Sequence, residues 1–129
     1  MALNPNYEQI GKGFVQQYYG LFDGDRSTRT NLVNFYSETK SLMTFEGQQI
    51  MGRVKIMEKL QGLTFTNIQH SISAVDAQPT FDGGVLVMVL GQLKTDEDPP
   101  HTFNQVFVLK PLGDSFYIEH DIFRLAFHV

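Results

Sequence analysis

Val85-Leu86-Val87-Met88-Val89-Leu90-Gly91-Gln92-Leu93 is the stretch that decides the fold. It is too short for a membrane span and too rich in β-branched residues for a surface helix, so it reads as a strand. Asp82-Gly83-Gly84 makes a turn before it, and Lys94-Thr95-Asp96-Glu97-Asp98-Pro99-Pro100 breaks the chain after it. Upstream, Ile68, His70, Ile72 and Ala74 alternate with Gln69, Ser71 and Ser73, the two-residue period of another strand. Downstream, Phe103 to Lys110 is a strand, Leu112-Gly113-Asp114-Ser115 turns, and Phe116 to Phe127 is the last strand. The second half is therefore a meander of long antiparallel strands.

The first half has a helical period. Asn4-Pro5 predicts an N-cap and a first helical residue. Tyr7, Ile10, Phe14, Tyr18, Leu21 and Phe22 then form one apolar stripe, ended by Asp23-Gly24-Asp25. Ser27 is read as the cap of a shorter helix carrying Leu32, Val33 and Tyr36. Leu42 to Glu46 is a short strand, and Gly52 to Gly62 a third helix with Val54, Met57 and Leu60 inward. Helices first and strands after define an α+β domain with helices on one face of the sheet. With 129 residues, and without linker, repeat or low-complexity segment, residues 1–129 form a single domain.

Both faces of Val85–Leu90 are apolar: Val85, Val87 and Val89 on one, Leu86, Met88 and Leu90 on the other. In the last strand Phe116, Ile118 and Ile122 oppose Tyr117, Phe123, Leu125 and Phe127. A sheet apolar on both sides needs two covers. Three helices supply one. A second subunit is the simplest other, giving a homodimer with Met88, Val106 and Ile122 at its centre; a loop or long helix is the alternative.

Composition excludes several functions. A net charge of −4 argues against a nucleic-acid binder. With no cysteine there is no thiol nucleophile and no cysteine metal site. Met1-Ala2-Leu3-Asn4-Pro5 does not read as a signal peptide, and no apolar run is long enough to span a membrane. His101, His120 and His128 lack zinc-ligand spacing, and no glycine-rich phosphate loop occurs, so no metal or cofactor is expected. His70, flanked by Ile68 and Ile72, reads first as a satisfied half-buried histidine; the sharper reading is an acid–base dyad with Asp121.

The chain's distinctive chemistry is acidic. Asp96, Glu97 and Asp98 repel one another and must face water or a basic partner, and Phe45-Glu46-Gly47 sets an aromatic beside a carboxylate at another strand end. The plain reading is a solvated turn and a surface acid. The sharper one is an apolar pocket rimmed with acids, suited to an aromatic flanked by Lys or Arg.

These residues resemble the nuclear transport factor 2 family from about Tyr7 to His128. The resemblance is carried by Tyr7-Glu8-Gln9-Ile10-Gly11, Tyr18-Tyr19, Thr44-Phe45-Glu46-Gly47-Gln48-Gln49, Ile68-Gln69-His70-Ser71-Ile72, Gln78-Pro79-Thr80, Gly91-Gln92-Leu93-Lys94, Asp96-Glu97-Asp98-Pro99 and Asp121-Ile122-Phe123-Arg124-Leu125. It implies a cone: a strongly bent antiparallel sheet wrapped around the three helices, open on an apolar cavity, and dimeric through its outer face. It implies a non-enzymatic carrier, moving between cytoplasm and nucleus, that binds the GTPase Ran in its GDP form and the phenylalanine-glycine repeats of nucleoporins at the nuclear pore. An aromatic of Ran would enter a cavity formed by Phe45, Leu63 and Phe123, with basic neighbours on Glu46, Asp96 and Asp98, and Tyr7 would serve the repeats. The family often has tryptophan where this chain has Phe45 and Tyr7, and relatives often continue past His128-Val129. Two other readings share the fold: a nucleoporin-binding module for mRNA export, and an isomerase or dehydratase using His70 and Asp121.

Overall fold

A computed structural model describes residues 3–126; Phe127, expected in the last strand, and the tail His128-Val129 lie outside them. Helix α1 spans Tyr7–Phe22 and buries Gly11, Phe14, Val15, Tyr18, Tyr19 and Phe22 along one face. It starts two residues later than Asn4-Pro5 predicts. Asn4 Oδ1 accepts the Asn6 N–H at 2.9 Å, a local side-chain turn that holds Pro5-Asn6 out of the helix.

Helix α2 (Arg26–Arg29) is capped by Asp25 rather than Ser27. Asp25 Oδ1 accepts the Thr28 N–H at 2.8 Å and the Ser27 hydroxyl at 2.7 Å, so Ser27 supports the cap. A 3₁₀ helix (Thr30–Phe35) follows and buries Leu32. Strand β1 (Leu42–Phe45) returns as β2 (Gln48–Met51), which the sequence reading left out. Their turn is Glu46-Gly47, both at positive φ (51° and 84°), the two-residue geometry that matches strand twist.

Helix α3 (Arg53–Gln61) buries Ile56 and Leu60. Val54, expected inward, is 65% exposed, and Met57 is half-buried. Leu60 is inward as expected, and Ile56 takes the buried place expected of Val54.

Four long strands complete the chain: β3 (Ile68–Pro79), β4 (Val85–Thr95), β5 (His101–Leu112) and β6 (Ser115–Leu125). The sheet order is β2-β1-β6-β5-β4-β3. It is antiparallel except where β1 lies parallel to β6, so the strongly curved sheet is mixed where a purely antiparallel one was expected. The cause is topological: β1 pairs one edge with its hairpin partner β2, and β6 reaches the other edge only after the meander.

Two register shifts bend the sheet, between Ile72 and Ala74 in β3 and between Val108 and Leu109 in β5, opposite Glu119. Each moves later side chains to the other face. Ala74 therefore pairs with Leu90 on the outside, and Ile118 is buried with Leu109 while Ile122 faces out. The expected alternations placed Ala74 with Ile72 and Ile118 with Ile122. At Gly91, opposite the first shift, an added Cβ would lie 2.5 Å from the Ser71 carbonyl, so only glycine fits the close crossing.

The inner face carries Val85, Val87, Val89, Phe103, Phe107 and Phe123, packed against Phe14, Tyr18, Tyr19 and Phe22 of α1. Phe14 and Phe107 meet edge to face at 4.8 Å. On the outer face one row crosses the strands as Thr44, Ile122, Val106, Met88 and Asp76.

Candidate functional site

The sheet does not close around α1 for its full length. Beyond Phe22 the inner face encloses a cavity of about 200 Å³. Phe45 and Phe123 are register partners across the parallel β1–β6 pair, and their rings stack at 4.9 Å with 20° between planes. Phe103 lies next to Phe123 at 5.8 Å. Leu63 enters from the segment after α3. Phe45, Leu63 and Phe123 all line the one cavity, with Tyr18, Met43, Leu60 and Phe65 among the other walls. Tyr18, Met43 and Leu60 are fully buried whereas Phe45, Leu63, Phe65 and Leu125 are half-buried, so the latter mark the mouth.

Glu46 and Asp96 adjoin that mouth in different ways. Glu46 follows Phe45 in the hairpin turn; its backbone N–H donates to the Phe123 carbonyl at 3.0 Å and its Oε1 accepts the Leu125 N–H at 2.5 Å. It thus prolongs the β1–β6 pairing, and its Oε2 makes no hydrogen bond among the described residues. Asp96 sits at φ 48° in the β4–β5 turn, and its Oδ1 accepts the N–H groups of Thr66 at 3.0 Å and Asn67 at 2.8 Å. It anchors the loop carrying Leu63 and Phe65 and lines a groove with both. Asp98 is exposed two residues further on and makes no side-chain hydrogen bond among the described residues. Lys94 draws the turn together, donating to the carbonyls of Asp96 and Asp98 at 2.9 and 3.3 Å.

Two residues of this site carried no signal in the sequence. Arg29, buried, donates from Nε to the Phe22 carbonyl at 3.0 Å and holds its guanidinium 4.8 Å from the Phe65 ring centre, fixing that wall. Lys59 sits 4.9 Å from the Phe45 ring centre and bonds Gln48 at 3.2 Å. Phe65, two residues after Leu63, had the strand-like spacing that could have exposed it. Tyr7 stands apart. It is half-buried at the first residue of α1, fifteen residues and so about 22 Å along the helix from Phe22 at the cavity.

His70 and Asp121 do not form the dyad considered from sequence. Asp23 takes both the backbone N–H of His70, at 2.8 Å, and its ring Nδ1, at 2.5 Å. Asp121 is fully buried, bonded by Tyr36 Oη at 2.8 Å and Gln105 Nε2 at 2.8 Å. Tyr36 in turn meets Tyr18 Oη at 2.8 Å, and Tyr19 donates to Gln105. Burial pushes the Asp121 carboxyl up to about 6, against the opposing effect of the two hydrogen bonds. The same burial raises the phenols of Tyr18, Tyr19 and Tyr36 well above their ordinary range. With every oxygen of Asp121 engaged by neighbours that stay protonated, the cluster is a buried structural network.

The fold and this site define a cone-shaped α+β domain whose open end is an apolar cavity with carboxylates at its mouth. The Nuclear transport factor 2 (NTF2) domain model matches residues 10–125. A "Probable nuclear transport factor 2" of Caenorhabditis elegans is 50% identical, over 99% of this chain and 98% of that one. "Nuclear transport factor 2" of Saccharomyces cerevisiae is 44% identical, over 95% of this chain and 96% of its own. The structure of nuclear transport factor 2 from Cryptosporidium parvum superposes with a TM-score of 0.90 at 39% identity, covering 98% of this chain and 99% of that one. The chain belongs to the nuclear transport factor 2 family.

Proposed function

We propose that this protein is a non-enzymatic nuclear transport carrier that binds GDP-loaded Ran through the cavity and phenylalanine-glycine repeats of nucleoporins through a surface including Tyr7. It acts as a homodimer between cytoplasm and nucleus, at the nuclear pore. One observation carries the reading: Phe45, Leu63 and Phe123 wall one open cavity, Glu46 is bonded to Leu125 of its wall, and Asp96 lines the adjoining groove with Leu63 and Phe65. An aromatic side chain entering it is worth about 1.5–3 kcal/mol from burial. The acids select an aromatic with basic neighbours and speed encounter. Preference for the GDP form follows because GTPase switch segments rearrange with the γ-phosphate. The dimer is supported by the half-buried Met88 and Val106 and the 49% exposed Ile122 in one outer row.

Calorimetry against GDP-loaded Ran at two salt concentrations tests the reading. Glu46→Gln keeps an acceptor for the Leu125 N–H and removes only charge. Glu46→Lys also sets a cation against the partner's cations, which costs roughly a hundredfold or more in affinity. Asp96→Asn retains the loop anchor and tolerates the positive φ, so its smaller loss, about 3- to 30-fold, reports charge alone. Folded Glu46→Lys binding as tightly as the parent protein would rule the acidic-rim mechanism out.

A further inference from the structure

We infer that the cavity also binds free small aromatic molecules bearing one neutral hydroxyl or N–H donor, of the phenol or indole class, with His70 Nε2 as the acceptor that reads the donor. The proposal concerns the chain alone and does not depend on its protein partners.

Size comes first. An engineered apolar cavity of about 150 Å³ takes up benzene, and this one offers about 200 Å³ between the rings of Phe22, Phe45, Phe65 and Phe123. That admits one substituted six-membered ring or a small bicycle. Chemistry follows. The His70 side chain is only 3% exposed and lines the cavity. Asp23 Oδ1 lies 2.5 Å from its Nδ1, so in the neutral ring the proton sits on Nδ1 and the Nε2 lone pair is the acceptor. Nε2 has no hydrogen-bond partner among the described residues. The other buried polar groups on the wall are committed: Tyr18 to Tyr36, and Gln105 to Tyr19 and Asp121. The cavity therefore presents one unpaired ring nitrogen, accessible from its interior, among aromatic walls. A neutral donor on an aromatic ring satisfies both. A carboxylate on the same ring does not, because it brings charge past Glu46 and Asp96 and offers Nε2 no proton.

The test is an NMR titration of the whole chain with three probes of similar size: p-cresol, toluene and benzoate. The expected result is saturable binding of p-cresol in the millimolar range or tighter, with shifts at Leu63, Phe65, His70 and Phe123. Toluene should bind about tenfold more weakly, the value of one hydrogen bond to a buried acceptor. Benzoate should not saturate. His70→Phe should retain toluene and lose the preference for p-cresol. Leu63→Trp, at a half-buried position that tolerates the ring, should block all probes with His70 intact. Absence of saturable p-cresol binding, equal affinity for p-cresol and toluene, or p-cresol binding unaffected by Leu63→Trp each overturns the proposal.

Discussion

Asp121→Asn should stabilise the protein at neutral pH, and the size of the effect follows from the buried network. The carboxyl rises from an ordinary 3.8 to about 6 on folding. The fold thus holds the proton more tightly than the unfolded chain does. That contribution is complete below pH 3.8, fades as pH rises through 6, and is absent above it. At about 1.4 kcal/mol per pH unit, the ionised side chain at neutral pH costs on the order of 3 kcal/mol relative to the protonated one. Asparagine mimics the protonated form. Its oxygen accepts from Gln105, and its amide donates to Tyr36 Oη, which then donates to Tyr18. Urea unfolding at fixed protein concentration, at pH 4 and pH 7.5, gives the comparison. Near pH 4 parent and variant should coincide. At pH 7.5 the variant should be about 3 kcal/mol more stable. Comparing the two proteins cancels the opposite trend from Asp25 and Asp82, whose hydrogen bonds lower their carboxyls. If the stability difference is the same at both pH values, Asp121 is not an unfavourably buried charge and the reasoning fails.

Ile122→Glu places a carboxylate in the outer apolar row, where it is exposed in a single chain and buried in the proposed dimer; light scattering should show monomers with unchanged circular dichroism, and a persisting dimer would refute the interface. Tyr7→Ala should weaken binding of a phenylalanine-glycine peptide, followed by NMR, and leave GTPase binding unchanged, because Tyr7 stands about 22 Å along α1 from the cavity; peptide shifts that bypass Tyr7 would move the site elsewhere.

The elements legible in the sequence were those whose signal is local. The aliphatic run from Val85 and the turns around Asp82 and Gly113 specify strands through periodicity and backbone preference, and each is found within a few residues of its expected place. The stripe of α1 is equally plain because Phe14, Tyr18 and Phe22 repeat at helical spacing. Errors fell where a side chain competed with the pattern: Asn4 bonding its own neighbour, and Asp25 preceding a serine that looked like the cap. They fell also where one extra residue flipped a face, as at Ser73 and Glu119. A bulge is specified by what lies across the sheet, and no window along one strand contains that information.

The cavity was half legible for the same reason. Phe45 and Glu46 stood out beside Gly47, and Asp96 and Asp98 stood out as a charge run. That Phe45 and Glu46 meet Phe123 and Leu125 at this mouth depends on β1 lying parallel to β6, seventy-eight residues away in register. The second function of each acid depends on the same geometry. Glu46 splices β1 to β6 by taking the Leu125 N–H, and Asp96 anchors the 62–67 loop through Thr66 and Asn67. These two carboxylates are therefore held still by the backbone groups they satisfy, whereas Asp98 is not. A rim charge fixed in this way loses little side-chain freedom when a partner arrives, whereas a long free side chain loses up to about 2 kcal/mol. The acids that build the mouth are thus already oriented for whatever it receives.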